Sequence, residues 1–478
     1  MFEARRAGWL ALALVVACGG ETAPTEPVPD EEPPPEEPEA PKPLQVIEGF
    51  HELEDMNDDP TIVEVELVAS LGQAELTPGT LTDVMTFNGS TPGPLLHARV
   101  GDRVIVHFRN DLPEATTIHW HGLRISDQMD GNPRIQNPVE PGGSFTYDFV
   151  LPEAGTYWYH PHANTIEQVE RGLYGAIVVG EEEAPVFTTE RMITLDDIRL
   201  DTNGQIAPFA TAGHDIVHGR AGNALLTNGS TESLTGTTSV GAIERWRLVN
   251  TANARVMKVS VVGASWRIVG TDGGLLPASY TTDALELTVG QRYDLEVRVD
   301  GSAPTVELVS HVLADNGGVV EEVPMIVGSW AVDGEVQTDE PWYPLQELPA
   351  IPTETTLQPI KLSGSNEGGQ VVFTINDVPG DQLEDLVFAQ GQPVTMEVTN
   401  DIGPFHPFHL HGQFFQVLTR GGLPANEPGL KDTVQIGAFE TVQIVTTFDN
   451  PGMWMYHCHI GSHADNGMMA HMVVTPSE

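Results

Sequence analysis

The stretch "HCHIGSHADNGM", residues 457–468, contains side chains that commonly bind metal ions. It places Cys458 between two histidines, and His463 and Met468 follow within ten residues. A thiolate, imidazoles and a thioether are soft and borderline ligands, a set that suits copper better than magnesium or calcium. Histidine clusters also bind zinc. This stretch alone therefore leaves both metals open, and further ligands must come from elsewhere in the chain.

Paired histidines recur in four windows that hold ten of the 17 histidines. Side chains on a strand alternate between its faces, so each His-x-His pair points two imidazoles the same way. Four such pairs can converge as eight imidazoles on one cleft. Cys458 must then point to the opposite face, where His406, His463 and a weak axial Met468 would complete a blue electron-transfer copper site. The windows are "HWH" (119–121), "HPH" (160–162), "HPFHLH" (406–411) and "HCHIGSH" (457–463).

These windows lie in an internal repeat. "GDRVIVHFRN" (101–110) precedes "HWHG", and "GQPVTMEVTN" (391–400) precedes "HLHG" 290 residues later. A middle copy has Val259 and Val261 where the paired histidines would recur. The period-two strand patterns predict three β-domains of similar plan, each an antiparallel sandwich or barrel, with ligands only in the outer two. We expect them over residues 44–182, 183–345 and 346–478.

The N-terminus is predicted to be a targeting segment. Arg5 and Arg6 precede an apolar run, residues 8–17, that is too short to span a membrane as a mature helix. The run ends "VVAC", which resembles a bacterial lipobox. We therefore expect a lipoprotein signal peptide over residues 1–18, with lipid on Cys18. The alternative is an ordinary secretory signal in which Cys18 is incidental, and the export route, Sec or Tat, stays open.

Residues 19–43 are rich in acids and prolines, which predicts an extended, disordered tether. The protein is expected to be exported and lipid-anchored in the bacterial cell envelope, or alternatively secreted or periplasmic, with membrane contact only through Cys18. With Cys18 lipidated, Cys458 would be the only thiol of the folded part. That excludes an intramolecular disulfide and favours a ligand role for Cys458.

The formal net charge of −46 argues against a nucleic-acid partner, because phosphates are bound by Lys and Arg. One interpretation of this acidity is a solvated, soluble surface. The other is attraction of cations, including copper.

With these motifs in order, the chain resembles the three-domain multicopper oxidases of the laccase type over nearly all of residues 44–478. The resemblance implies an all-β fold of three consecutive cupredoxin-like Greek-key domains and a monomer. It also implies four copper ions, with the type 1 copper on His406, Cys458, His463 and Met468. The type 2 copper would bind His119 and His409, and the two type 3 coppers would bind His121, His160 and His459 on one and His162, His411 and His457 on the other.

The activity that the resemblance implies is oxidation of a one-electron donor coupled to reduction of dioxygen to water. Phenols or aromatic amines are the first expectation for the donor. A cuprous oxidase for envelope copper tolerance is the main alternative, although the 13 methionines form no methionine-rich segment. A non-enzymatic copper-holding or electron-transfer protein would not need the eight paired histidines. Three repeats disfavour a two-domain copper nitrite reductase.

Three acids are further candidates. Asp130, in "MDGNP", matches a family acid that relays protons near the type 2 copper, or it simply forms an Asp-Gly turn. Many bacterial relatives have a second acid directly after the last type 1 histidine, where this chain has Ala464, so Asp465 or a water chain is the candidate substitute. Asp432, in "KDTV", matches an acid near the type 1 rim that could orient a phenol or amine, or it is a turn or strand-edge residue.

His214 and His218, in "HDIVH", could bind a metal at the surface of the middle domain. The alternative interpretation is a solvated loop.

Overall fold

A computed structural model describes residues 44–209, 213–315, 320–344, 347–368 and 370–477. The signal peptide and tether predicted for residues 1–43 lie outside the described residues. Within the described part, no helix is long and apolar enough to cross a membrane.

Strands dominate the chain and fall into three successive groups, which we call the first, middle and third domains. The first group contains β1 (Ile47–Glu48), β2 (Ile62–Thr77), β3 (Thr80–Phe87), β4 (Gly93–Arg99), β5 (Arg103–Asn110), β6 (His119–His121), β7 (Ser144–Val150), β8 (Gly155–His160), α1 (Thr165–Glu170) and β9 (Gly175–Gly180).

The middle group contains β10 (Thr189–Ile198), α2 (His214–His218), β11 (Ala224–Thr227), β12 (Leu234–Val240), β13 (Ile243–Asn250), β14 (Met257–Val262), β15 (Ser265–Thr271), β16 (Gly274–Tyr280), β17 (Leu285–Leu287), β18 (Arg292–Arg298), β19 (Thr305–Asp315) and β20 (Val320–Glu335).

The third group contains β21 (Thr356–Glu367), β22 (Gln370–Ile375), β23 (Leu386–Ala389), β24 (Gln392–Asn400), β25 (His406–Leu410), β26 (Gln416–Arg420), β27 (Leu423–Pro424), β28 (Thr433–Ile436), β29 (Thr441–Phe448), β30 (Gly452–Cys458), α3 (Gly461–Asp465) and β31 (Met469–Thr475). Two single-turn 3-10 helices, Asp127–Met129 and Gly380–Gln382, complete the elements.

Each domain consists of two sheets. The sheets of the first domain have the orders β3-β2-β5-β7 and β4-β9-β8-β6. Those of the middle domain are β1-β10-β13-β18-β15-β16, with β11 added on β10, and β12-β20-β19-β14-β17. The third domain has β22-β21-β24-β29-β26-β27 and β23-β31-β30-β25-β28. The prediction of an all-β chain with three domains of similar plan is confirmed.

Aromatic pairs join the two sheets of each domain. In the middle domain, Trp246 of one sheet and Trp330 of the other have ring centroids 4.5 Å apart. In the third domain, Phe388 and Phe448 stack at 4.2 Å. Burying an apolar side chain of this size contributes about 1.5–3 kcal/mol, so these layers stabilise each sandwich separately.

The prediction of antiparallel sandwiches or barrels needs one correction. Three equivalent strand pairs are parallel: β2 with β5, β10 with β13 and β21 with β24. A period-two pattern identifies a strand but not the direction of its neighbour. The domain limits stay a prediction. Strand β1 pairs with β10, with Ile47 opposite Glu190, and so belongs to a sheet of the middle domain.

A buried asparagine ends one strand of each parallel pair, at Asn110, Asn250 and Asn400. The Asn250 amide donates to two backbone carbonyls at 2.8 and 2.9 Å, and its Oδ1 accepts from the backbone amide two residues later at 3.1 Å. Asn110 and Asn400 make the same set of bonds. The repeated asparagine therefore closes the loop that follows each of these strands.

Replacing this amide should destabilise a domain that holds no predicted ligands. Asn250→Ala leaves the two carbonyls and the backbone amide unpaired, which we expect to cost about 1–3 kcal/mol. Thermal unfolding of the whole protein at one scan rate measures the loss. Asn426→Ala, at an exposed loop position, is the control and should change stability by less than about 0.5 kcal/mol. Equal shifts in the two variants would contradict this role for Asn250.

Candidate metal centres

Two pairs of adjacent strands position the histidines. In the first domain β6 and β8 are antiparallel, with His119 opposite His160. In the third domain β25 and β30 repeat the arrangement, with His409 opposite His457. Because neighbouring side chains on a strand point to opposite faces, the paired histidines share one face and Cys458 takes the other. Cys458 lies within the apolar core of the third domain.

The four His-x-His pairs meet between the first and third domains. The rings of His119 and His411 lie 4.0 Å apart, centroid to centroid. The rings of His121 and His409 stack at 3.9 Å. The structure thus brings together all eight predicted imidazoles, which we call the histidine cluster: His119, His121, His160, His162, His409, His411, His457 and His459.

Within the histidine cluster, several triplets bring their ring nitrogens within 4.8 Å of one another. One triplet equals an implied type 3 ligand set, and a second contains the implied type 2 pair. His121 of the other type 3 set faces His459, with Nδ1 and Nε2 3.2 Å apart. The triplets are His162, His411 and His457; His119, His409 and His411; and His119, His121 and His160.

In several rings, a hydrogen bond at one nitrogen determines that the other nitrogen keeps a lone pair for a metal. Nδ1 of His119 donates to the Asp130 carbonyl at 2.9 Å, and Nδ1 of His409 donates to the Asp432 carbonyl at 3.0 Å. A carbonyl only accepts, so Nδ1 carries the hydrogen and Nε2 keeps its lone pair. Among the described residues, Nε2 of His119, His160, His162 and His409 is buried without a hydrogen-bond partner. Buried lone pairs of this kind fit metal ligation, with the carbonyls orienting the rings.

Burial also lowers the pKa of most rings of the histidine cluster. Loss of solvent lowers the pKa of His457 to about 3. It holds the pKa of five other cluster rings well below the usual range, and neighbouring histidines add to the effect: His121, His160, His162, His411 and His459. Neutral imidazole is the form that binds a metal, so these rings need not lose a proton first.

A second set of ligands surrounds Cys458. Its Sγ lies 3.5 Å from Nδ1 of both His406 and His463, and these two nitrogens are 3.0 Å apart. The backbone of Met468 bonds to both Cys458 and His463, and its side chain is fully buried in the same core. Burial raises the pKa of the Cys458 thiol, a penalty on the thiolate that a bound cation would offset. The structure therefore places the four predicted type 1 residues together.

The Asp130 carboxylate contacts two rings of the histidine cluster. Its side chain is fully buried, and Oδ2 accepts a bond of 2.8 Å from Nδ1 of His411. Oδ1 lies 3.2 Å from Nδ1 of His119. The next residue, Gly131, has φ +79°, and a Cβ there would lie 2.1 Å from the Ile118 carbonyl. The backbone conformation at Asp130 and Gly131 therefore brings the carboxylate to the histidines, and the relay role of Asp130 stays a prediction.

The placement of Asp432 at a substrate rim was wrong. Its side chain is 1% exposed, and Oδ1 lies 3.2 Å from Nε2 of His121. The reason is strand register, because β28 pairs with β25 and sets Thr433 opposite His409. Asp432 thus sits behind the histidine cluster, where it cannot contact a donor at the surface.

The middle domain contributes a partner that sequence patterns did not reveal. Arg292 is fully buried and makes two bonds to the Asp432 carboxylate, at 2.6 and 2.8 Å. Burial alone would raise the pKa of Asp432, but the Arg292 guanidinium holds it well below the usual range. Gly290, two residues before Arg292, has φ +86°, and a Cβ there would lie 3.0 Å from the His121 ring. The domain without ligands therefore supports the histidine cluster directly.

Asp465 does not reach the histidine cluster. It ends α3 with its side chain exposed, and among the described residues it makes no hydrogen bond to any of the eight rings. The relay through Asp465 to the implied type 3 pair therefore stays a prediction. The helix that carries it turns its buried face, including His463, toward the Cys458 site.

The loss of stability on removing the Asp432 carboxylate tests whether this group is buried. Asp432→Ala removes the closer of the two buried carboxylates that face Arg292 and leaves Asp272 at 3.5 Å as its remaining charged partner. Breaking such a buried pair should cost about 3–5 kcal/mol. Asp148→Ala is the matched control, because Asp148 pairs with Arg103 at the surface and such pairs are worth only about 0–1 kcal/mol. Thermal unfolding of both variants gives the comparison. A small, equal loss in both would place Asp432 at an exposed rim after all.

Comparisons with known proteins agree with this geometry. The chain matches multicopper oxidase families over residues 69–184, 192–305 and 352–478. It is 31% identical over 425 residues to a multicopper oxidase of Staphylococcus aureus, covering 86% of this chain and 88% of that one. It is 28% identical over 491 residues to Laccase-1 of Cryptococcus neoformans, covering 83% and 77%.

Among solved structures, a multicopper oxidase from Campylobacter jejuni, described as a metallo-oxidase, superposes with a TM-score of 0.78. The two chains are 27% identical, and the match covers 92% of this chain and 97% of that one. The fold class, the copper-binding residue types and these matches all agree. The chain belongs to the multicopper oxidase family.

Proposed function

We propose that this oxidoreductase takes single electrons from a donor at the Cys458 site and delivers them to dioxygen at the histidine cluster. The observation that carries this is the position of Cys458 between His457 and His459, at the end of β30. The thiol belongs to one site, and both flanking imidazoles belong to the other. One covalent segment therefore connects donor oxidation to oxygen reduction.

The two sites fit copper. Copper bound there would supply one-electron redox chemistry at Cys458 and dioxygen reduction at the histidine cluster. We assign four copper ions: type 1 to His406, Cys458, His463 and Met468; type 2 to His119 and His409; type 3 to His121, His160 and His459 and to His162, His411 and His457. A zinc site is closed by four ligands, whereas the histidine cluster offers eight.

Dioxygen reduction to water consumes protons, and Asp130 is our proposed relay acid. It touches His119 of the implied type 2 set and His411 of one implied type 3 set. Asp432, the other acid at the cluster, is tied to Arg292. Asp130 is therefore better placed to pass a proton.

Two classes of donor remain candidates. Phenols or aromatic amines follow from the laccase-like resemblance. Cuprous ion is the second candidate, because backbone of the middle domain covers the outer edge of His463. A protein that only holds copper or transfers electrons would need the Cys458 site but not the histidine cluster, which argues for turnover of dioxygen.

For location and assembly, we propose a monomer that is anchored in the cell envelope through lipid on Cys18. Lipid chains bind membranes with about 0.8 kcal/mol per buried methylene. Cys18→Ala should release soluble protein into the periplasm or leave the precursor uncleaved, as cell fractionation would show. Unchanged association with membranes would overturn the anchor.

Cys458→Ser tests the division between the two sites. Serine is a hard, largely protonated ligand, so the variant should lose the blue absorbance and about one copper per chain. The eight imidazoles remain, yet oxygen uptake with a phenol donor should collapse because electrons have no entry. Met468→Leu, which keeps the thiolate, is the control and should stay blue with a raised reduction potential. Steady oxygen consumption by Cys458→Ser would defeat this proposal.

A further inference from the structure

The short helix α2 lies over the outer edge of His463. Nδ1 of His463 faces the Cys458 thiol, and Nε2 on the other side of the ring donates to the Val217 carbonyl at 3.1 Å. The edge of this ring that points away from Cys458 is therefore occupied by backbone of the middle domain. An aromatic donor cannot touch that edge unless α2 moves.

Several contacts hold α2 in place. Asp215 accepts a bond of 2.6 Å from Arg199, and Ile216 packs against the core of the third domain. Gly219, directly after the helix, has φ +78°, and a Cβ there would lie 2.4 Å from Ala254 and 2.8 Å from Ile460. The chain thus passes too close to the third domain for a side chain at this position, which fixes α2 over the Cys458 site.

On its outer side α2 presents two imidazoles. His214 and His218 are one helical turn apart, both are exposed, and their ring centroids lie 4.5 Å apart. They line a cavity of about 450 Å³ between the middle and third domains. Phe405, the neighbour of His406, lines the same cavity. The cavity therefore reaches the residue that directly precedes a predicted type 1 ligand.

The donor set suits a monovalent soft cation. Among the described residues, no third histidine, cysteine or carboxylate joins His214 and His218 in a ligand group. The nearby carboxylate of Asp215 is engaged by Arg199. A protein zinc site usually needs four ligands, whereas the closed-shell cuprous ion is stable with two imidazoles. The net charge of −46 would concentrate cations near the surface.

We propose that His214 and His218 bind cuprous ion as an electron donor, a site that rests on the proposed function. His218 is bonded through the backbone to Val217, whose carbonyl contacts the His463 ring. Each cuprous ion gives one electron, becomes cupric and leaves. Four such events, with four protons, reduce one dioxygen to two waters. His214 and His218 are thus the binding residues, and α2 is the route toward Cys458.

Binding is tested on the copper-loaded enzyme with silver ion, a redox-inert analogue of cuprous ion. The wild-type enzyme should bind one additional silver ion without loss of its blue absorbance. The double variant His214→Ala, His218→Ala should bind it about 10–100-fold more weakly. His51→Ala, which removes an exposed histidine of the first domain, is the matched control and should bind as the wild type. Equal silver binding in the double variant would overturn the site.

Turnover separates this site from the proposed function. With cuprous ion and a phenol as alternative donors, the double variant should show an about tenfold lower ratio of cuprous to phenol kcat/KM, mainly through a higher KM for cuprous ion. An unchanged ratio in an enzyme that still oxidises phenols would overturn the cuprous site and leave the proposed function standing. If the copper-loaded wild-type enzyme consumes no oxygen with either donor, the proposed function is wrong. His214 and His218 then cannot be the binding site of an electron donor.

Discussion

The structure depends on the alternation of side chains along one strand, β30. Consecutive residues of a strand face opposite sides, so His457 enters the histidine cluster while Cys458 turns into the core of the third domain. His459, the first residue after β30, returns to the face of His457. No insertion or deletion within these three residues could preserve both faces. The register between β25 and β30, with His409 opposite His457, then aligns the other ligands.

The described residues of the middle domain support both sites from outside the proposed ligand sets. Arg292 neutralises Asp432 behind the histidine cluster, and the chain at Gly290 approaches the His121 ring closely. On the other side, the Val217 carbonyl orients His463. A buried ion pair contributes little net stability. The Arg292–Asp432 pair is therefore better understood as fixing the positions of the domains and of His121 than as a source of stability.

Much of the fold and of the site could be predicted from local sequence. The His-x-His windows and the strand-ending asparagines are short motifs, and their chemistry depends on neighbours in the chain. Another feature that recurs in all three domains is a turn with a left-handed asparagine. Asn88, Asn228 and Asn376 occupy equivalent turns with φ near +50°. Two of these turns carry an Asn-Gly signal, "FNGS" and "TNGS".

Other features depend on contacts between distant residues and left no local signal. Arg292 and Asp432 are 140 residues apart in the chain. Neither lies in a sequence motif that predicts contact with the other. The parallel strand pairs and the burial of Asp432 follow from register, which a single strand does not encode. The "HDIVH" segment shows its position over His463 only when the middle and third domains pack together.

The central claim is that one strand serves two distinct copper sites. Anomalous diffraction at the copper edge, from crystals of the fully loaded enzyme, tests it most directly. We expect one peak between His406, Cys458 and His463, and three peaks within the histidine cluster. A cluster without copper, or a single closed four-ligand site in its place, would contradict the account.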